Sequence, residues 1–382
     1  MSNRGRRLLR SAAVGVLAVA AVVAVWAAIW RVGEFRGGGR NWAVAQTRSN
    51  VRSNATATPF APQRRYKICA WSRGSNASLQ HAIAADAIDE IDLDWYHSRP
   101  DGSLRAQGQD MTLVGRAHAA GIEVYATITN RQSHATPFDG GIAAAILSSP
   151  SARASQIRNL VRLCTRKGFD GIDVDWEELG AADRARFVSF LKDLAKQLHR
   201  HRKWLSIAVY PKAVEPGFTD AQKAEDYRAI GSAVDEMKVM TYAHSGGWTA
   251  PGAQMPLYWA RQVMDFARKQ VATGKLYMGL PFFGFDWQGS SARYVPWKDV
   301  AAARAKYGGR LGRDAQSGEA VLRYTDAAGV AHVACYQDRV AVRTKLTWMK
   351  RKEAPIAGVA IWVMGGEDAG FWKILAAQLP RE

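Results

Sequence analysis

The chain has 382 residues, 48% of them hydrophobic, which is enough for one large domain with a sizeable core plus extra segments. Its formal charge is +18, but residues 1–65 hold eleven arginines and one acid, Glu34, so +10 of it belongs to the N-terminal sixth. No nucleic-acid-binding module is recognisable, and Cys69, Cys164 and Cys335 are odd in number and lack metal-ligand spacing, so they read as buried free thiols.

Arg4, Arg6, Arg7 and Arg10 precede residues 11–30, a run without a charged residue that is mostly Ala, Val, Leu, Ile and Trp. Its length matches a bilayer-spanning helix, and the basic flank predicts a cytoplasmic N-terminus with the remainder exported. A cleaved signal segment is the alternative, and Arg6-Arg7 leaves a twin-arginine route open. Residues 31–65, rich in Gly, Asn, Thr, Ser and Pro, read as a flexible basic linker. Strands are then expected at 66–71, 91–96, 122–129, 168–177, 204–210, 236–243, 275–283 and 358–363, with amphipathic helical stretches between them, such as 182–200 and 257–269. Eight such repeats over residues 66–378 predict an α/β chain, a (β/α)8 TIM barrel. The longest interval between strands contains two hairpin-like segments, 320–324 and 332–336. It predicts a small α+β insertion over about 288–355, between the seventh and eighth barrel strands.

The fourth predicted strand carries the chemistry: Asp170-Gly171-Ile172-Asp173-Val174-Asp175-Trp176-Glu177. Apolar Ile172, Val174 and Trp176 alternate with Asp173, Asp175 and Glu177, so an extended chain puts the three acids on one face, about 7 Å apart. Crowded carboxylates raise one another's pKa, so one stays protonated as a general acid while its neighbour stays ionised. Cleavage of a glycosidic bond needs that pair. A solvated acidic edge strand and a divalent-cation site are the alternatives, though no histidine or further acid cluster lies nearby in the sequence to complete a metal shell. Barrel enzymes gather their chemistry at the C-terminal ends of the strands, where Glu177, Tyr242 and Trp362 are expected to converge.

This stretch resembles the signature of glycoside hydrolase family 18, the chitinase-like superfamily, Asp-Gly-x-Asp-x-Asp-x-Glu, and fills every fixed position. Met240-Thr241-Tyr242, Gly279-Leu280-Pro281-Phe282-Phe283-Gly284, and Gly358-Val359-Ala360-Ile361-Trp362 with Gly365-Gly366-Glu367-Asp368 resemble the family's sixth, seventh and eighth strands. The resemblance runs from Tyr66 to Trp372. It is nearest to bacterial cell-wall and spore-germination members, through Ala87-Ile88-Asp89-Glu90-Ile91 leading into Trp95-Tyr96, Asp101-Gly102-Ser103-Leu104 and Thr127-Ile128-Thr129-Asn130.

The resemblance implies a hydrolase of β-linked N-acetylglucosamine glycans that retains configuration by using the substrate's own acetamido group as nucleophile. On that reading Glu177 is the acid and base, Asp175 holds the acetamido N–H and shares a proton with Asp173, and Tyr242 donates to the acetamido carbonyl. Trp362 stacks under the cleaved sugar, Met240 lines the floor, and Trp95, Tyr96, Trp287 and Asp286 are cleft-wall candidates. Asp170 makes structural hydrogen bonds at the strand start, and Gly171 allows close backbone approach. No cofactor or metal is implied. The expected partners are an N-acetylated polysaccharide, of peptidoglycan type ahead of chitin, and the membrane through the N-terminal segment, which places the chain in the cell envelope. The family commonly has Asp after the sixth-strand tyrosine, and Ala243 stands there instead, with His244 following. A catalytically silent, glycan-binding member of the fold is therefore the second reading.

Overall fold

The computed structural model describes residues 65–213, 218–352 and 355–381. The segment expected to span or be cleaved, 11–30, and most of the linker, 31–65, lie outside them. Among the described residues no helix is long and apolar enough to cross a membrane.

In chain order the elements begin β1 Lys67–Ser72, α1 Asn76–Ala84, β2 Glu90–Ser98, β3 Leu104–Ala106, α2 Met111–Ala119, β4 Glu123–Thr129, α3 Gly140–Ser148 and α4 Pro150–Lys167. They continue β5 Gly171–Asp175, α5 Arg184–His199, β6 Trp204–Val209, α6 Asp220–Ala224, α7 Tyr227–Ala233, β7 Glu236–Val239, α8 Leu257–Arg268 and β8 Leu276–Pro281. The last third holds β9 Phe283–Gln288, β10 Ser291–Pro296, α9 Trp297–Tyr307, β11 Arg310–Arg313, β12 Ala320–Thr325, β13 Ala331–Tyr336, α10 Arg339–Lys352, β14 Gly358–Met364 and α11 Gly370–Gln378. Strands β1, β2, β4, β5, β6, β7, β8 and β14 pair in parallel, and the β1–β2 and β1–β14 ladders close them into a barrel. This is the expected (β/α)8 architecture.

Period-2 alternation sets which way each strand faces. On β5 and just beyond it, Ile172, Val174 and Trp176 point outward into the helix layer, and Trp176 stacks on Phe190 of α5 at 4.9 Å. Phe187, Phe190, Leu191, Leu194 and Leu198 form the buried face of that helix. A one-residue slip would turn all three acids into this apolar layer, so the packing of Trp176 fixes their inward direction. Helix ends follow local chemistry as well. In α4, the Ser149 side chain accepts from Ala152 N–H, Pro150 occupies the first turn, and Gly168 closes the helix at φ 78°.

The insertion differs from its predicted bounds. A five-stranded antiparallel sheet, β10-β9-β13-β12-β11, starts at Phe283, directly after β8. The single expected strand 275–283 is thus the end of one sheet and the beginning of another. Residues 339–352 are not part of the insertion: they form α10, whose Val342, Leu346 and Met349 join the barrel's outer core. The expected hairpin is present, with Tyr324 opposite His332.

Candidate active site

The barrel interior is charged from its base upward. Near the base the Lys67 ammonium contacts Glu90 at 2.5 Å, Glu123 at 2.6 Å and Glu236 at 2.8 Å. One layer higher, fully buried Lys238 donates to Glu90 at 2.6 Å and to both Asp92 oxygens at 2.8 Å, and lies 3.5 Å from Asp173. Burial alone would raise Glu90, but Lys238 and Lys67 overcome it and hold its carboxyl low. Burial and then Glu90 push Glu236 up to about 7. Among the described residues Cys69, Glu90 and Glu236 lie close enough together to ligate a cation. The Lys67 ammonium already occupies the space against both carboxylates.

Asp173 sits at the top of this network and is fully committed. Its oxygens accept from Trp71 Nε1 at 2.8 Å, Thr127 Oγ1 at 3.1 Å and Ser206 Oγ at 2.5 Å. Asp175 and Glu177, two and four residues on, are different. Asp175 is buried, and its Oδ1 has no hydrogen-bond partner. Burial, then the charges of Asp173 and Asp94, push its pKa well above the carboxylate range. Glu177 lies two residues past the end of β5, so the chain there is free of ladder geometry. Asn130 clamps it, donating to Glu177 O at 2.6 Å and accepting from Glu177 N–H at 2.8 Å. Tyr210 donates its phenol proton to Glu177 Oε2 at 2.7 Å and also contacts Glu178 Oε1 at 2.9 Å. Burial, then Asp175, raises Glu177 well above its usual value, more than the Tyr210 hydrogen bond lowers it.

Asp175 and Glu177 open into one cleft with Trp71, Met240, Tyr242, Ala243, Phe283, Tyr294 and Trp362. Tyr242 follows β7 by three residues and packs edge-on against Phe283 at 5.8 Å. Trp362, on β14, meets Trp71 edge-on at 5.9 Å, with the Arg73 guanidinium 5.6 Å from its ring centre. Phe283 and Tyr294, stacked at 5.0 Å, belong to the insertion, which forms one wall. Glu178 and Ala243, the residues directly after Glu177 and Tyr242, both adopt left-handed backbone at φ 58°. These turns swing the chain aside once each side chain is presented, at a cost of order 1 kcal/mol each.

Several expected site residues stand elsewhere. Trp95 does not line the cleft: it is fully buried in the outer core between barrel and helices. Tyr96 is likewise buried there and packs edge-on against Phe169. Trp287 is buried behind the wall, where its Nε1 contacts the carbonyls of Gly246 and Thr249 at 3.2 and 3.3 Å and fixes that loop. Asp286 is enclosed in the insertion, bonded by Tyr324 at 2.8 Å. Asp170 lies at the far end of β5, accepting from Val124 N–H at 2.9 Å and contacting His118 at 2.8 Å. A Cβ on Gly171 would come within 2.7 Å of the Tyr125 ring. His244 turns from the cleft toward Ser245 and the rings of Tyr258 and Trp259. Sequence reasoning assigned no role to Trp71, Asn130, Tyr210 or Tyr294. Tyr210 follows the last residue of β6, so the strand-end rule could have found it; Tyr294 carries no such signal.

Residues 116–367 match the sequence profile described as "Glycosyl hydrolases family 18". The uncharacterized glycosylase YvbX of Bacillus subtilis (strain 168) is 28% identical over 257 residues, 66% of this chain and 74% of that protein. The cortical fragment-lytic enzyme of the same organism is 27% identical over 259 residues, 66% of this chain and 59% of that protein, so the chain spans only part of such relatives. Among solved structures, a class V chitinase from Pseudomonas fluorescens Pf-5 aligns with a TM-score of 0.74 at 27% identity, covering 82% of this chain and 99% of that one. The spore cortex-lytic enzyme SleL of Bacillus cereus also reaches 0.74, at 23% identity over 84% of this chain and 76% of that one, a likeness of fold. With a profile match covering well over half of its length, the chain belongs to glycosyl hydrolase family 18.

Proposed function

We propose that the chain hydrolyses β-linked, N-acetylglucosamine-containing glycan with retention, using the substrate's acetamido oxygen as the nucleophile. The observation that carries this reading is the pair Asp175 and Glu177: one buried carboxyl with an oxygen lacking any partner, two residues from a second buried carboxyl that Tyr210 holds at 2.7 Å and whose pKa burial and Asp175 raise. A buried polar atom left unpaired costs free energy unless a ligand satisfies it, and an acetamido N–H supplies the missing donor. Glu177 gives its proton to the leaving glycosidic oxygen while the acetamido oxygen attacks the anomeric carbon. Asp175 accepts the acetamido N–H, and the Tyr242 phenol donates to the carbonyl and aligns it. Glu177, now ionised, takes a proton from the water that opens the cyclic intermediate, which restores both enzyme and configuration. Asp173, gripped by three donors, anchors the strand that presents Asp175.

Peptidoglycan-type glycan is favoured over chitin by the cortical fragment-lytic relative and by the expected export of the domain. The test is product analysis by mass after incubating the purified chain with N-acetylglucosamine oligomers and with peptidoglycan strands. Efficient cleavage of fully deacetylated oligomers would rule out the acetamido nucleophile. The second reading, a glycan-binding protein without turnover, is favoured by Ala243, which offers the cleft a methyl group in place of a carboxyl. Binding without product release would select it. The envelope location and the anchor at 11–30 are part of the same proposal. The full chain should sediment with membranes and resist a high-salt wash, and a new mature N-terminus beyond residue 24 would replace the anchor with a cleaved signal.

A further inference from the structure

Next to the catalytic cleft, on its β2–β4 side, lies a second cavity of about 300 Å3, bordered by His97, Arg99, Arg105, Arg131, Asp139 and Ile142. It adjoins the catalytic acid: Asn130, which clamps Glu177, immediately precedes Arg131, whose guanidinium lies 5.0 Å from the ring centre of Phe138, a member of the cleft cluster.

Both walls of this cavity are fixed. The β2–β3 turn that carries Arg99 is docked on α4, where buried Gln156 donates to Ser98 Oγ at 2.9 Å and Asn159 donates to the Gly102 carbonyl at 2.8 Å. Gly102, at φ 77°, fits because a Cβ there would meet the Ala152 carbonyl at 2.1 Å. The opposite wall is pinned by the Arg131–Phe138 bridge and by Asp139 N–H donating to the Asn130 carbonyl at 2.8 Å.

The charges inside do not cancel. Arg131 is spent on buried Asp94 at 2.6 Å. His97 is uncharged at neutral pH, because burial takes its pKa down to about 4. Asp139, the one acid among the described lining residues, caps α3 by accepting from Gly141 N–H at 2.8 Å. Arg105 donates to the Gln132 carbonyl at 3.1 Å, and among the described residues neither Arg105 nor Arg99 forms an ion pair with a carboxylate, although Asp101 lies near enough to Arg99 to feel its charge. Elsewhere Arg184, Arg313 and Arg339 each hold an aspartate at 2.6–2.8 Å. A preformed cavity with two guanidinium groups that no carboxylate holds in an ion pair among the described residues is shaped for a carboxylate, which the planar fork binds through paired N–H donors.

We propose that this cavity binds a carboxylate carried by the glycan, held by Arg99 and Arg105, and so selects acidic over neutral N-acetylated polymers. The inference rests on the glycosidase reading, since the cavity lies beside the acid that would cut the chain. Two carboxylates have the required chemistry: the lactyl ether group of a muramic sugar, and the peptide stem attached to it.

Three glycans of matched length test the proposal: peptidoglycan strands with stems, the same strands freed of stems but keeping the lactyl carboxylate, and neutral N-acetylglucosamine oligomers. In the double variant Arg99→Gln/Arg105→Gln, KM for acidic strands should rise roughly tenfold, as expected for losing two exposed ion pairs. kcat should change less than twofold, and KM for neutral oligomers should hold within twofold. A rise confined to stem-bearing strands identifies the stem as ligand; an equal rise on both acidic strands identifies the lactyl group. An unchanged KM on both, or an equal rise on neutral oligomers, overturns the proposal. Dissociation constants for the three glycans, measured by calorimetry in a Glu177→Gln background, separate it from the function. If the natural chain cleaves nothing, yet the double substitution still weakens acidic-strand binding tenfold, the cavity stands and the glycosidase reading falls. If cleavage persists and binding is unmoved, the reverse holds.

Discussion

The lower and upper halves of the barrel interior are built from the same residue types and use them in opposite ways. Below, Lys67 and Lys238 each sit among several carboxylates, so acids from β2, β4, β5 and β7 are gathered around two cations. Above, among the described residues, Asp175 and Glu177 face a cleft with no cation in hydrogen-bond contact, one oxygen unpaired and the other acid's side chain bonded to a phenol. A paired buried charge is a structural commitment, because removing one partner strands the others. An unpaired buried acid is costly to folding and is poised for a substrate. The cations nearest the upper acids, Arg73 and Arg131, are held by Asp94 instead.

The largest effect that would break this comparison is on rate. Glu177→Gln should lower kcat by at least about 10²–10⁴-fold while glycan binding persists in calorimetry. A variant keeping more than a tenth of the natural turnover would remove Glu177 from the acid's role. The same variant reports on stability. Between about pH 4, where an unfolded glutamate ionises, and its raised folded value, Glu177 keeps a proton that the unfolded chain has lost. Stability of the natural protein therefore falls as pH rises through that window. Thermal unfolding should show Glu177→Gln more stable than the natural chain at neutral pH, with the gap closing below about pH 4. A less stable variant at neutral pH would contradict a strained acid.

Next in size is Lys238→Met, which strands Asp92, Glu90 and Asp173 below the site. Urea unfolding should register a loss of roughly 3–5 kcal/mol. A loss under about 1 kcal/mol would mean that water or protonation already does the lysine's work, and the two halves would no longer differ. Tyr210→Phe, in the upper half, should cost only about 1 kcal/mol of stability. Its signature lies in pH dependence: the phenol favours the Glu177 carboxylate, so without it the acid keeps its proton to higher pH and the alkaline limb of kcat moves upward. A stationary limb would uncouple Tyr210 from the acid. The smallest effect is expected outside the barrel. Arg313→Ala removes an exposed ion pair with Asp338 of the insertion and should shift stability by less than about 1 kcal/mol, with unchanged turnover. Lost turnover would make the insertion more than a passive wall.

The inward face of β5 was readable because Ile172, Val174 and Trp176 alternate with acids, and alternation is a local property of the chain. Eight strand-like apolar runs separated by helical stretches made the barrel legible, and two short runs flanking a turn made the 320–336 hairpin so. Bounds were less so. Phe283 continues the apolar run of β8, and periodicity does not mark where a chain leaves one sheet for another. Val342, Leu346 and Met349 do follow a helical spacing, but whether that stripe covers the barrel or the insertion depends on what packs against it. Trp95 and Trp287 misled for a related reason: an aromatic near a strand end can face the cleft or the helix layer, and β2 shifts register between Asp94 and Tyr96.

By itself, then, the sequence determined the order of strands, the alternation that aims three acids inward, and the family those acids belong to. Only the tertiary structure decided which acids are spent and which are available. Lys67, Glu90, Asp92, Glu236 and Lys238 are up to 171 residues apart and meet because the barrel closes β1 onto β2 and β14. Tyr210 reaches Glu177 from the neighbouring strand end, and Tyr294 reaches the cleft from a separate sheet. Coulombic and desolvation energies depend on distance through space and on what excludes water, and neither quantity is local in sequence.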